Sequence, residues 1–152
     1  ERAGLVLPSL SIPVREELRQ FTPEAGTGVG NPVDAPRWSV WGPSGFMRAL
    51  RLVEPAADLI LCSISVAFGL YQPAPKEQME QIDTIVEASR AISKPIVVVL
   101  RTSGAPESIQ QSSELQQRCF EARLPTYTTI GRASRSIAKL VEHRAAMAHL
   151  YP

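Results

Sequence analysis

Residues 58–101 constrain the fold of this chain more than any other stretch. Asp58-Leu59-Ile60-Leu61-Cys62-Ser63-Ile64-Ser65-Val66 opens it, and Lys94-Pro95-Ile96-Val97-Val98-Val99-Leu100-Arg101 closes it. Both pieces are short, β-branched and apolar without alternation, the pattern of strands covered on both faces. Between them Met79, Ile82, Val86 and Ala91 recur near helical spacing among Glu, Gln, Lys and Arg. That spacing predicts a helix with one buried stripe. Strand, helix and strand of this size form a right-handed crossover, so the two strands are expected to be parallel and to lie in the middle of a covered sheet.

The flanking segments extend the same pattern. Glu1 to Ala3 before Gly4 reads as the last turn of a helix closed by a C-cap glycine, and a start at Glu-Arg-Ala-Gly suggests a fragment of something larger. Leu5 to Leu7 is expected to be a short strand. Pro13 suits a first helical turn, and Val14, Leu18 and Phe21 give the next helix one apolar edge. Ser44 is placed to cap a helix from Gly45 to about Val53, with Phe46, Ala49, Leu50 and Val53 on its buried face. Trp38 and Trp41 either pack over that helix or form an aromatic docking surface. Further on, Pro106 to Arg123 reads as a helix, Leu124 to Thr128 as a short strand, and Thr129 as the N-cap of a last helix. That helix carries Ile137, Leu140, Val141, Ala145 and Ala148 on one face.

Composition narrows the function. With 152 residues the chain is one domain's worth, expected to form a single domain over 1–152. Lys and Arg number 16 against 15 Asp and Glu, so no basic field recruits nucleic acid or an anionic membrane. No apolar run approaches the roughly 20 residues of a membrane helix. Cys62 and Cys119 fall on a strand and a helix and read as small buried hydrophobes, which fits a reducing cytosol and a cytoplasmic location. His143 and His149, six residues apart, lie on different helical faces, and no zinc cluster, Walker A loop, GxGxxG or GxSxG is present. The sequence holds no catalytic residue set and no metal site of its own.

Two places can present polar groups to a ligand. The first is the exit of the first central strand, because ligands of open parallel sheets collect beyond the carboxyl ends of strands. Ser63 and Ser65 offer hydroxyls there, Phe68 and Gly69 follow, and the next helix begins near Pro75 with its free NH groups at the same sheet edge. An anion can sit at this helix start; equally, Lys76 and Glu77 can be a solvated first turn. The second is the loop Thr22 to Gly30 with Asn31-Pro32-Val33-Asp34, where Gly26, Gly28 and Gly30 free the backbone. It either exposes NH groups beside Asn31 and Asp34 or is only a tight connection.

The order of phrases adds a resemblance. Gly4-Leu5-Val6-Leu7-Pro8-Ser9-Leu10-Ser11, then Gly30-Asn31-Pro32-Val33-Asp34, the two apolar strands, and Cys119-Phe120-Glu121-Ala122-Arg123-Leu124-Pro125-Thr126-Tyr127 together resemble the succinyl-CoA-synthetase-like, flavodoxin-like domain of the NDP-forming acyl-CoA synthetases (ADP-forming acetate-CoA ligases). The resemblance covers nearly the whole chain. It implies a three-layer parallel sheet with helices on both faces, and a first strand lying before Glu1. It implies a parent ligase that makes acyl-CoA from a carboxylic acid, CoA and ATP with Mg. Partner domains or subunits carry the CoA site, the phosphohistidine and the ATP-grasp nucleotide site, and this chain itself binds no cofactor. Ser65-Val66-Ala67-Phe68-Gly69 occupies the place of a strand exit that leads into a helix facing the phosphohistidine, with one glycine where the relatives tend to have two and a longer Leu70 to Pro75 connection. Neither His143 nor His149 is then the phosphorylated residue. Two other readings stand beside it: a regulatory module of a protein lysine acetyltransferase, and a non-enzymatic flavodoxin-like binding or scaffold domain. An incomplete sheet also leaves an edge through which the chain can form a homodimer.

Overall fold

A computed structural model describes residues 3–23, 28–34, 38–66 and 74–147. Three parallel strands form one open sheet in the order β1 (Ile60–Val66), β2 (Ile96–Thr102), β3 (Thr126–Tyr127). Five helices accompany them: α1 (Ile12–Arg19), α2 (Trp38–Val53), α3 (Pro75–Ala91), α4 (Pro106–Glu121) and α5 (Ile130–Met147). Ile60 pairs with Ile96 and Val66 with Thr102, while Val98 pairs with Thr126. The α3 crossover between β1 and β2 is thus the one expected.

Alternation along the strands assigns each helix to a face. Cys62, Ile64 and Val66 of β1, with Val98 and Leu100 of β2, share a core with Leu50 of α2, Ile82, Ile85 and Val86 of α3, and Leu115 and Cys119 of α4. The opposite face carries Val97 and Val99, which pack with Ala133 and Ile137 of α5 and with Leu59, Leu61 and Tyr127. β2 is the central strand and its first five residues are buried on both sides. The domain is α/β with helices on both faces, consistent with a flavodoxin-like architecture.

Several expectations are corrected. β1 is an edge strand among the described residues: Leu61 and Ser65 are half-buried and Ser63 is exposed, because α5 lies over β2 and β3 and leaves that face of β1 partly uncovered. Leu5 to Leu7 forms no strand; Val6 is 83% exposed, and among the described residues no neighbouring strand supplies a ladder. Gly4 does adopt the positive φ, 77°, that suits a helix terminator. α2 begins earlier than Gly45, at Trp38, with a break at Gly42 (φ 55°, ψ −170°) just before Pro43. A side chain at Gly42 would be strained in that conformation, and Pro43 suits the start of the segment that follows. Within α5, Ala133 and Ile137 reach the sheet, but Leu140 (68% exposed), Val141 and Ala145 do not. Its apolar face is longer than the surface it covers. On α3, Ile82 and Val86 are buried as expected, joined by Ile85 and Ala88, whereas Ala91 is exposed.

A second core lies beyond the sheet. Leu10, Leu18, Trp41 and Ala49 pack with Phe21, Val29, Val33 and Phe46. Both tryptophans are buried, which decides for packing over docking. Trp41 meets Phe21 at 5.7 Å and Phe46 at 6.4 Å between ring centroids, in tilted and edge-on arrangements typical of aromatic pairs. Trp38 donates its Nε1–H to Glu80 of α3 at 2.6 Å, and Arg118 of α4 bonds Asp83 of α3 at 2.6 Å. These polar ties set the lateral order α2, α3, α4 on one face.

Candidate functional site

The carboxyl end of β1 is built by a buried serine. Ser108, in the first turn of α4 and fully buried, donates its hydroxyl proton to the Val66 carbonyl and accepts from the Ser103 NH at 3.1 Å. One side chain therefore ties together the ends of β1 and β2 and the start of α4. Strand alternation alone does not reveal this clamp. The sequence signal was Ser108 two residues after Pro106, inside a proline-started helix.

α3 starts close to the same sheet end. Ala74, Pro75 and Lys76 are exposed, and Glu77 accepts the Ala74 NH at 2.8 Å. A carboxylate thus already occupies one donor of this helix start, favourably placed against the helix dipole. Ser63 and Ser65 lie on the β1 face turned toward α5, whereas the residues that pack against α3 are Cys62, Ile64 and Val66. Their hydroxyls sit on the opposite side of the strand from α3. Phe68 and Gly69 fall outside the described residues.

The Asn31-Pro32-Val33-Asp34 phrase forms a closed loop. Asp34 donates its NH to the Gly28 carbonyl at 2.8 Å, and the Gly28 NH returns to the Asp34 carbonyl at 3.4 Å. Asn31 Nδ2 donates to the Pro8 carbonyl at 2.9 Å, and the Asn31–Pro32 peptide bond is cis. Val29 and Val33 anchor the loop in the second core. Asn31 thereby ties the loop to Pro8, while Asp34 closes the loop on Gly28. No hydrogen bond among the described residues links this loop to the exit of β1, so the two sequence-derived sites are not shown to converge.

Cys62 and Cys119 are free thiols, both buried. Burial pushes the Cys62 pKa up to about 12; burial also raises Cys119, to about 11, against a smaller opposing pull from the Arg118 charge. At pH 8 both are protonated, and the thiolate is the nucleophile. A thiol reagent such as DTNB is expected to leave the native chain unlabelled at pH 8 and to label two thiols per chain once guanidinium unfolds it. Rapid labelling of the native chain would contradict this burial. Among the described residues no group of three or more His, Cys, Asp or Glu could hold a metal ion, and no helix is long and apolar enough to cross a membrane. His143 is exposed on α5.

A cleft lies at the opposite edge of the sheet from β1, between α4 and β3. One compartment, about 220 Å³, includes Leu100, Ser112, Thr128 and Arg132 in its lining. The adjoining one, about 460 Å³, includes Phe120, Leu124 and Pro125, and the two share Gln116 and Thr126. Thr129 Oγ1 accepts the Arg132 NH at 3.1 Å, which confirms Thr129 as the cap of α5 and sets Arg132 in its first turn. The sequence signal for Arg132 was its position three residues after that cap.

No protein-family model matches the chain, and no curated protein matches it. Among solved structures the fold is similar to that of PH0766 from Pyrococcus horikoshii OT3, with a TM-score of 0.73 and 22% sequence identity over 95% of this chain. The chain spans 31% of the length of that protein. At this identity the likeness concerns the fold.

Proposed function

We infer that the chain is a domain of an NDP-forming acyl-CoA synthetase and helps build the site where phosphoryl groups pass between domains. The observation that carries the reading is the succession Ser65-Val66-Ala67-Phe68-Gly69 at the carboxyl end of a parallel strand, followed by the exposed amino end of α3. A strand exit followed by a helix start offers backbone NH groups and a positive dipole end to an anion. Ser108 supports this role by fixing the Val66 carbonyl at the last residue of β1. The acid, CoA and ATP with Mg are handled by partner domains in this reading. The contribution of this chain is positional: a surface against which a phosphorylated histidine of a neighbouring domain docks.

The test uses the full-length polypeptide that contains this chain, together with any partner subunit, and γ-labelled ATP. Acid-labile phosphohistidine is expected in the native protein, and Gly69→Leu is expected to lower its formation at least about tenfold, since a side chain there blocks close approach. Absence of any phosphohistidine in the native protein would remove the synthetase assignment. Labelling that Gly69→Leu leaves unchanged would remove the strand-exit role and retain the assignment.

A further inference from the structure

We propose that the bare side of β1, beside α5, is a docking surface for an amphipathic helix of a partner protein, its apolar stripe against Leu61, Ile137 and Leu140 and a carboxylate against Arg101. The inference is independent of the synthetase reading and concerns the opposite face of the sheet from α3. Its first support is coverage. Parallel sheets occur with helices over both faces. α2, α3 and α4 cover the Val98 face and bury Ile60, Cys62, Ile64 and Val66 of β1. On the other face α5 packs on β2 and β3, while Leu59 and Leu61 of β1 are only half-buried and Ser63 is exposed. Neighbouring helices stand about 10 Å apart, twice the strand spacing of about 4.8 Å. A helix laid beside α5 therefore lies over β1 and its free edge.

Its second support is the apolar strip that this face leaves open. Ile137 joins Leu59 and Leu61 in one cluster, and one turn further along α5 Leu140 and Val141 are 68% and 57% exposed. Positions three and four apart share one side of a helix, so Leu140 and Val141 continue the side on which Ile137 meets the sheet. Contiguous exposed apolar surface marks an interaction site. A helix meets such a strip through anchors at i, i+3, i+4 and i+7.

Its third support is charge. Ser65 stands directly opposite Arg101 in the ladder, so the exposed Arg101 side chain leaves β2 on the bare face, at its carboxyl end. The strand residues of this face include no carboxylate. α5 carries Arg132, Arg135, Lys139 and Arg144 against Glu142 alone, and Glu142 bonds Lys139. A surface with an apolar strip and a cationic rim complements a helix with an apolar stripe and acidic flanks. A second copy brings the same cations on its own α5, so like charges oppose the pairing of two α5 helices.

The experiment is a titration of the ¹⁵N-labelled chain with a synthetic helical peptide as long as α5, with leucines at i, i+3, i+4 and i+7 and glutamates elsewhere, followed by backbone amide shifts. A peptide with the same leucines and lysines in place of the glutamates, and phosphatidylglycerol vesicles, are the comparison probes. Saturable shifts are expected at Leu61, Ser63, Ile137 and Leu140. Affinity is expected to fall about tenfold or more for the lysine peptide and for Arg101→Gln, the loss of a charged pair across the interface. Leu140→Asp should weaken binding as much, whereas Ile109→Asp, on the exposed side of α4, should leave it unchanged. Arg101, Leu140 and Ile109 are all exposed, so these substitutions leave the fold intact. Absence of saturable shifts overturns the proposal, and so does binding that Leu140→Asp spares or Ile109→Asp abolishes. Equal binding of the lysine peptide, or equal binding by Arg101→Gln, overturns the acidic class. Concentration-dependent shifts at Leu140 without peptide assign the face to a second copy, and vesicle binding at the same amides assigns it to a membrane; either result overturns the partner helix.

Discussion

Val98→Asp is expected to abolish the folded state. Val98 is fully buried in the central strand, where its NH donates to the Pro125 carbonyl and its side chain packs in the main core. No cation is among the residues of that core. An unpaired carboxylate there either stays charged at a cost of several kcal/mol or takes up a proton at a similar cost. The whole stability of a domain this size is about 5 to 15 kcal/mol. Near-ultraviolet circular dichroism reads the outcome directly, since Trp38 and Trp41 are both buried: the variant should lose its tertiary signal and its cooperative thermal transition. Val98→Ala, which removes volume without adding charge, should retain both with a lowered midpoint. A Val98→Asp chain with a native spectrum would mean that β2 is not the centre of the sheet.

The second large effect is expected at Ser108. Replacement by Ala removes one hydroxyl and leaves the buried Val66 carbonyl and the part-buried Ser103 NH without that partner. An unsatisfied buried group costs about 1 to 3 kcal/mol, so Ser108→Ala is expected to destabilise by about that much. Urea unfolding with an unchanged denaturant slope measures it. Ser113→Ala supplies the contrast: its hydroxyl bonds the Ile109 carbonyl on an exposed helical turn, and its loss should be small. If the two variants were equally mild, Ser108 would not clamp the strand ends.

Much of this fold was legible in the sequence because its central unit is local. Residues 58–101 carry a strand, a helix and a strand in succession, and their apolar periods alone specify the crossover and its parallel sense. The start of α5 was legible from Thr129 for the same reason, since capping is decided within three residues. What failed depended on neighbours. Leu5-Val6-Leu7 has strand composition, but a strand exists only beside another, and none is described there. Ser63 and Ser65 look from the sequence like part of a strand covered on both faces; coverage of their side depends on how far α5 extends, which no local pattern encodes.

The candidate sites divide in the same way. Asn31, Pro32 and Asp34 drew attention through glycine-rich surroundings; in the structure Asn31 bonds Pro8 and Asp34 bonds Gly28, around Val29 and Val33 of the second core. Ser108 and Arg132 went unnoticed, because each acquires its position from segments distant in sequence. Ser108 reaches Val66 across 42 positions. Arg132 faces a cleft whose opposite wall begins on α4, at Ser112. Side chains that act between segments are invisible to periodicity.

The two cores are not independent bodies. Phe46 and Val53 of α2 belong to both, one in the middle of the helix and the other at its end. A helix that is a wall of two rooms cannot be lifted from one without opening the other, so the aromatic cluster around Trp41 and the sheet around Val98 share a single fate in unfolding. The break at Gly42 falls outside this shared stretch, and it lets the first turn, tied to Glu80 through Trp38, take its own direction while the rest of α2 remains a common beam. Damage in the small core is thereby felt as loss of order in the large one.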